Sequence, residues 1–428
     1  MATKPLKVLF LSQRFLFPMD TGGKIRTGNI LAKLKDMVSL TVISNMESPK
    51  DDSYLSRMPE LCERFIPVPW KETPRYTLKF YLKIAGQSFS RYPIPVLNDF
   101  SPQLERAVLA ELAGEKYDLA ICDFLQSTLN FRRVSDIPTL LFQHNVEATI
   151  SRRHLEQAKD PVSRIFWGLQ YRKMFRHEKS MCRRFHGIIA VSEKDRERME
   201  EWYGAKNVYE IPTGVDTEYY QPLNHAPEKK QLVFTGSMDW LPNEDAMVYF
   251  LEKIFPRVKQ EEPETSLVIV GRRPTPRLLK LIEGRTDVTI TGWVEDTRPY
   301  IAESAVYIVP IRIGGGTRMK IYEALAMGKA MVSTTVGAEG LPLAQGEQIF
   351  FADDENVFAG RVVSLLRDPA LRRIMGETAR KYVYEHFRWE KVAEVFSDIC
   401  YKVAGRQGGA SGAAPGRGTA SSQTAGKR

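Results

Sequence analysis

Cysteine is scarce. The 428 residues contain four, Cys62, Cys122, Cys182 and Cys400, far apart and never in C-x-x-C spacing, which excludes a disulfide framework and a thiolate zinc site. All four are expected as reduced, mostly buried thiols. No apolar run approaches the roughly 18 to 20 residues needed to span a bilayer. The opening MATKPLKVLFLSQRF runs into a strand pattern with no small-residue cleavage site, so a cytoplasmic location is expected. Also missing are the G-x-G-x-x-G turn of dinucleotide-binding proteins and an acid at the end of the second strand, VSLTVISN, to hold a ribose hydroxyl. Acid is absent from 405–428, where Gly, Ala and Ser dominate and four basic residues supply part of the net charge of +9. Such a composition cannot bury enough apolar surface to offset ordering entropy, so this segment is expected as a disordered tail. The remaining positive charge suits anionic small ligands or an anionic membrane face. No nucleic-acid-binding module motif is present, so nucleic acid is not an expected partner.

What is present is an ordinary globular composition, 43% hydrophobic and 26% charged, in a chain long enough for two or three domains. Strand-like apolar runs at 7–12, 38–44, 64–69, 117–123, 137–144, 187–192 and 208–212 alternate with amphipathic segments. The alternation restarts at 232–236, 266–271, 288–292, 306–310, 330–334 and 348–352, with helical patterns at 245–258, 276–282 and 357–385. Continuous apolar runs of this length argue for parallel sheets covered on both faces. The expected fold is therefore α/β, with two Rossmann-like doubly wound domains, 1–212 and 231–385, joined by a linker at 213–230 and facing across a cleft. The segment 386–404 is expected as a C-terminal helix that packs back on the N-terminal domain.

The stretch 314–328, GGGTRMKIYEALAMG, follows an apolar strand with three glycines and a helix start. A glycine turn lets the backbone approach a ligand closely, and the N–H groups at a helix start favour an anion, so a phosphate is the natural occupant. Arg318 and Lys320 lie in the first turn, where cations oppose the helix dipole unless an anion is bound. Glu323 is the only acid in that helix. The loop after the first strand repeats the theme with Gly22, Gly23, Lys24 and Arg26, although turn-making and helix capping account for it equally well. FQHNVEA ends the fifth strand and places His144, Asn145 and Glu147 at a cleft edge, either as a proton or hydrogen-bond acceptor for a sugar hydroxyl or as a helix cap. In the second half, Gly236, Ser237 and Asn243, then Arg272 and Arg273, then Trp293 follow successive strands, and Trp293 is expected to face a planar base. The basic, aromatic segments 70–86 and 164–186 fit a solvated face over a core or contact with an anionic membrane.

Taken in order, DTGGKIRT, HNVE, AVSEKD, IPTGVDTEYY, TGSMDWLPNEDA, VGRRP, TGWVED and GGGTRMKIYEALAMGKAMVSTTVGAEGL resemble retaining glycosyltransferase family 4 along nearly the whole chain apart from its tail. The resemblance implies a GT-B fold and transfer of a sugar, with retained anomeric configuration, from a UDP- or GDP-linked donor to a glycan or lipid-linked acceptor. It implies no cofactor and no essential metal, and a place in bacterial surface-glycan synthesis; the expected location is cytoplasmic, either free or in peripheral contact with the inner membrane. It places Glu323 on the donor ribose, Gly316, Thr317 and Arg318 on the diphosphate and sugar, Gly23 near the phosphate and His144 near the transferred sugar. Gly236, Ser237, Arg272, Trp293 and Lys320 complete the expected donor side; Gly22, Arg26, Asn145 and Glu147 are the expected acceptor side. His144 and Arg318 are the expected catalytic residues. Two departures stand out. Gly315 replaces the first of the family's two glutamates eight positions apart, and Ser237 and Asn243 stand near its usual arginine and lysine. A sugar-nucleotide epimerase or a non-catalytic sugar-nucleotide-binding protein on the same fold are the alternatives.

Overall fold

The computed structural model describes residues 4–74, 77–134, 136–158, 160–223, 229–313 and 319–406. Among them, the apolar runs form thirteen strands. The first seven are β1 (Lys7–Ser12), β2 (Ser39–Met46), β3 (Arg64–Pro69), β4 (Leu119–Asp123), β5 (Thr139–Phe142), β6 (Gly187–Ala190) and β7 (Val208–Glu210). The second set is β8 (Lys229–Thr235), β9 (Ser266–Val270), β10 (Val288–Ile290), β11 (Ser304–Val309), β12 (Met331–Ser333) and β13 (Phe350–Phe351). Each set makes one parallel sheet, in the orders β3-β2-β1-β4-β5-β6-β7 and β10-β9-β8-β11-β12-β13. Strand β1 shows why the runs are continuous rather than alternating. Val8 and Phe10 enter one buried cluster while Leu9 and Leu11 enter another on the opposite face, because helices cover both sides.

Both sheets reverse their winding between the first and fourth strands, at β1/β4 and β8/β11. At such a switch point the connections leave in opposite directions, opening a crevice beyond the carboxyl ends of the strands. This constraint positions both walls of the cleft.

The helix Trp389–Val403 closes the N-terminal sheet. Trp389, Val392, Phe396 and Cys400 are buried in the cluster built on Val8, Phe10 and Phe142, and the Phe396 ring meets Phe142 edge-on at 5.3 Å. Gly214 is required where the linker passes this helix, since a Cβ there would lie 2.2 Å from the Trp389 ring. The Val215 N–H donates to the Phe387 carbonyl at 2.7 Å, tying the linker to the returning chain. All four cysteines are free and buried.

Several expected boundaries move. Strand β8 starts at Lys229, inside the expected linker. The helix expected over 245–258 is two helices, Leu241–Tyr249 and Phe255–Glu261, joined by a π turn at Phe250–Ile254, because Pro256 supplies no N–H to the helical ladder. The helix expected over 357–385 breaks between Glu355–Arg367 and Pro369–His386, where Asp368 caps the second helix and Pro369 opens it. Of the expected tail, Arg406 is held: its guanidinium pairs with Asp118 at 2.5 Å. Residues 407–428 lie outside the described residues.

Phe396→Ala removes a fully buried ring between the last helix and β5, and is expected to destabilise the N-terminal domain by about 3–5 kcal/mol. Urea unfolding reads this directly, and an unchanged midpoint would place the last helix outside that core.

Candidate active site at the interdomain cleft

On the N-terminal side, the loop after β1 runs into the helix Gly22–Leu34, which brings Arg26 over the ends of β4 and β5. Arg26 Nη1 lies 3.3 Å from His144 Nδ1, and Nη2 donates to Thr213 Oγ1 at 2.8 Å. His144 Nε2 lies 2.8 Å from Asp123 Oδ1, and Asp123 Oδ2 accepts from Thr27 at 3.1 Å. An arginine can only donate, so Nδ1 is the accepting nitrogen and the ring proton sits on Nε2, facing Asp123. Burial holds the His144 pKa below its ordinary value, against the pull of Asp123. The histidine is thus neutral. Burial also lowers the Arg26 pKa to about 10, opposed by the charges of Asp123 and Asp195.

Phe124 forms the wall of this cluster. It has φ of 65° and follows β4 directly; its ring stacks on His144 with centroids 3.8 Å apart and planes 4° from parallel. Gly23 is needed opposite it, because a Cβ there would approach the Phe124 ring to 2.5 Å. Gly22, Gly23, Arg26, His144 and Asn145 line one cavity of 340 Å³, closed from the other domain by Met319, Glu339 and Gly340. Arg153, Lys194 and Arg198 add cations to its wall, with Lys194 paired to Glu339 across the cleft. A second cavity, of 540 Å³, opens beyond the ends of β1, β2 and β3, with Glu47, Trp70 and Glu72 among its lining residues and Phe124 shared between the two.

Two expectations change here. His144 has both ring nitrogens engaged by protein groups, so it does not offer one to a sugar hydroxyl. Glu147 is not part of the cavity wall: it is buried in the first turn of the helix Glu147–Gln157, its pKa pushed up to about 7 by burial, and its N–H donates to Glu178 at 2.9 Å.

On the C-terminal side, three loops meet at glycines. Gly236 follows β8 with φ of 153°, and a Cβ there would come within 2.6 Å of the Asn243 amide and 2.7 Å of Lys320 Nζ. Gly271 passes so close that its Cβ would meet the Gly236 carbonyl at 1.8 Å, and Gly271 bridges to Gly292. Lys320, in the helix Met319–Ala326, donates to Asn243 Oδ1 at 2.9 Å and sits 4.0 Å from the centre of the Phe234 ring. Arg272 Nε donates to Ser237 Oγ at 3.2 Å at an exposed rim. Trp293, 72% exposed, follows Gly292, whose backbone bridges to Gly271. Glu323 is partly buried on the same helix as Lys320 and bonded to Tyr220 from the linker; burial pushes its carboxyl up to about 7, against the effects of Lys320 and Tyr220. Gly316, Thr317 and Arg318 lie outside the described residues.

The structure therefore gathers Gly236, Ser237, Arg272 and Lys320 at one switch point and Gly22, Gly23, Arg26, His144 and Asn145 at the other. Asp123, Phe124, Thr213 and Tyr220 are added by the fold. Asp123 ends the fourth strand, and the sheet order alone would have marked it; nothing local in the sequence marks Phe124 or Thr213.

Two doubly wound sheets, each presenting glycines and cations from its switch point to a shared cleft, define a two-domain α/β protein built to hold an anionic ligand. The family model for Glycosyltransferase Family 4 matches residues 61–219 and that for Glycosyl transferases group 1 matches residues 229–368. Together they span most of the chain, which belongs to these glycosyltransferases and has their GT-B fold. An uncharacterised 44.6 kDa protein in the cps region of Klebsiella pneumoniae is 22% identical over 297 residues, 67% of this chain and 74% of that protein. The N-acetyl-alpha-D-glucosaminyl L-malate synthase of Bacillus anthracis is 35% identical over 148 residues, 33% of this chain and 39% of that one. Among solved structures, sucrose-phosphate synthase from Thermosynechococcus elongatus superposes with a TM-score of 0.66 at 17% identity, covering 93% of this chain and 99% of its own.

Because Arg26 lowers and Asp123 raises the affinity of His144 for a proton, Arg26→Met is expected to move the His144 titration upward and Asp123→Asn to move it downward. Imidazole NMR resonances followed through a pH series check both signs.

Proposed function

We propose that the chain transfers a sugar, with retained configuration, from a UDP- or GDP-linked donor on the C-terminal sheet to a hydroxyl of a glycan or lipid-linked acceptor on the N-terminal domain. The reaction needs no metal in this reading and serves surface-glycan synthesis on the cytoplasmic side. The observation that carries it is the meeting of Gly236, Lys320 and Glu323 at the β8/β11 switch point, across the cleft from Arg26. Close backbone approach and a cation suit a diphosphate, and a carboxylate one helical turn further on suits the two hydroxyls of a ribose.

In the reaction, the bond from the anomeric carbon to the diphosphate oxygen breaks and a bond to the acceptor oxygen forms on the same face. The acceptor proton passes to the departing phosphate oxygen, since His144 is committed on both nitrogens. Lys320, Arg272 and Arg318 oppose the charge that grows on the leaving group, a role worth most in a cleft closed to water. Asp123 and Arg26 hold the His144 and Phe124 rings as a rigid wall beside the sugar. The 540 Å³ cavity, with an indole and several carboxylates, suits a hydroxyl-rich acceptor.

UDP or GDP at 100 times its dissociation constant should stabilise the protein by about 2.7 kcal/mol, and a thermal-shift series with UDP, GDP and ADP reads which base is preferred. Arg318→Ala should lower turnover roughly 100-fold; near-normal turnover would remove it from the diphosphate site. Incubation with donor alone that yields an epimerised nucleotide sugar, with no transfer to any acceptor, would overturn the proposal.

The pH dependence follows from Glu323. Its folded pKa of about 7 stands above the ordinary 4.5, so between those values the folded chain holds a proton that the unfolded chain has lost. Stability therefore falls as pH rises through this window. Ribose hydroxyls donate to the ionised carboxylate, so nucleotide binding is expected to tighten as pH rises through about 7. Glu323→Gln should abolish that step in a calorimetric titration series and leave a weaker, flat profile.

A further inference from the structure

The helix Leu78–Ser88 contributes no buried residue to the fold. Of its apolar side chains, expected from the sequence to face either a core or a membrane, Leu78 is 76% exposed, Leu82 64% and Phe89, just beyond its end, 93%, while Phe80 and Ile84 are half-buried. Leaving such groups in water forgoes about 25 cal/mol for each Å² they would bury. A neighbouring helix, Pro161–Arg184, repeats the pattern with Val162, Ile165 and Leu169 exposed. These three recur at helical spacing and share one face with Arg172, Lys173 and Arg176. The two helices form one surface. Lys173 Nζ donates to the Ser88 carbonyl at 2.6 Å, and Gln170 accepts from the Ile94 N–H at 3.1 Å.

The charge on this surface is mainly of one sign. Residues 77–91 and 161–177 contain Lys79, Lys83, Arg91, Arg164, Arg172, Lys173 and Arg176 and not one Asp or Glu; the acid at the helix start, Asp160, is exposed and caps the helix by accepting from the Ser163 N–H at 2.9 Å. Elsewhere the surface mixes signs, as in the helix Glu193–Tyr203, where Arg196 pairs with both Glu193 and Glu200. An exposed apolar stripe rimmed by seven cations, with one capping acid at its end, matches an interface with apolar interior and negative headgroups. A soluble acidic protein would answer the cations but not so many exposed apolar side chains on two helices, and a second copy would bring like charge against like.

We propose that the face formed by the helices Leu78–Ser88 and Pro161–Arg184 docks on an anionic lipid bilayer, with Leu78, Leu82, Phe89, Val162, Ile165 and Leu169 entering the headgroup boundary and the cations contacting lipid phosphates. No helix among the described residues is long and apolar enough to cross a membrane, so the contact is peripheral. The Leu78 helix follows Trp70 and Glu72 of the 540 Å³ cavity by a few residues. The Pro161 helix packs on the helix Glu147–Gln157, whose Arg153 lines the cleft. Docking therefore sets both cavities beside the lipid surface.

Co-sedimentation of the full chain with vesicles tests this without any transfer reaction, so its outcome is independent of the proposed donor and acceptor. The full chain should sediment with vesicles of equal parts phosphatidylcholine and phosphatidylglycerol, weakly with phosphatidylcholine alone, and less as salt is raised. Each cation near the surface contributes about fivefold to partitioning, so Lys79→Glu with Lys83→Glu should weaken binding by roughly tenfold or more. Leu82→Asp with Phe89→Asp should weaken it about as much, with circular dichroism and the nucleotide-induced thermal shift unchanged. Equal sedimentation with neutral vesicles, none with anionic vesicles, or indifference to both double variants would overturn the proposal. So would a dimer in light scattering that Leu82→Asp with Phe89→Asp dissociates while vesicles go unbound, which would assign the face to a second copy.

Discussion

A guanidinium held between the N-terminal sheet and the linker has to be neutralised, and the way Arg26 is neutralised shapes this wall of the cleft. An unpaired buried charge costs several kcal/mol. Arg26 meets that demand through a chain: Thr213 on the linker, His144 at the end of β5, and behind His144 the carboxylate of Asp123 at the end of β4. The anion does not touch the cation. It acts through a neutral imidazole whose two nitrogens are polarised in one direction, which leaves a positive field at the cleft side and places the negative charge within the sheet. Chains of hydrogen bonds in a low dielectric reinforce one another in this way. Because three separate strand and linker ends supply the members, the arrangement exists only when the whole N-terminal sheet and the linker are in place.

The C-terminal half depends on close approach instead of charge pairing. Gly236 and Gly271 come nearer than any side chain would allow, and the Lys320 ammonium lies against the same turn, where a Cβ on Gly236 would meet it at 2.7 Å. The cation and the glycine turn are therefore packed directly on one another. The two walls are consequently different in kind: one is a polarised side-chain relay, the other a backbone crossing that carries a lysine. The Glu323 carboxyl, held near neutrality by burial, sits behind the second wall, where its charge state answers to what fills the site.

Much of this was legible in the sequence, and the exceptions have physical reasons. All thirteen strands coincide with apolar runs because a parallel sheet covered on both faces demands continuous hydrophobicity. Helix boundaries were less visible: Pro256 and Pro369 interrupt patterns whose periodicity continues across them. In the site, glycines and cations could be read because turns and anions demand those residue types. His144 was found, but its role was not, since the partners that occupy its nitrogens come from 118 and 21 residues away in sequence. Phe124 at φ of 65° carries no local signal at all. A phenylalanine there is favoured only by the His144 ring and the bare Gly23 on either side.

The charge of the chain gains a different meaning once its placement is known. Many surface cations of the described residues have acids within reach, and exposed pairs of that kind contribute little to stability and leave little net field. Two sets of cations differ in this respect: those on the face of the two neighbouring helices make no ion pair among the described residues, whereas in the cleft wall Lys194 is paired to Glu339 and Arg198 to Asp195. Both belong to the N-terminal domain, and the helix Glu147–Gln157 connects them, with Arg153 in the cleft wall and the His154 ring stacked at 4.4 Å on Trp167 of the outer helix. An anionic donor and an anionic surface would each relieve like-charge repulsion on opposite sides of that one helix. Filling either site lowers the electrostatic cost of the positive charge facing the other only weakly, because screening over a Debye length of about 8 Å separates them. What joins the two is packing rather than charge: the His154 ring, one residue along the helix from Arg153 of the cleft wall, stacks on Trp167 of the outer helix.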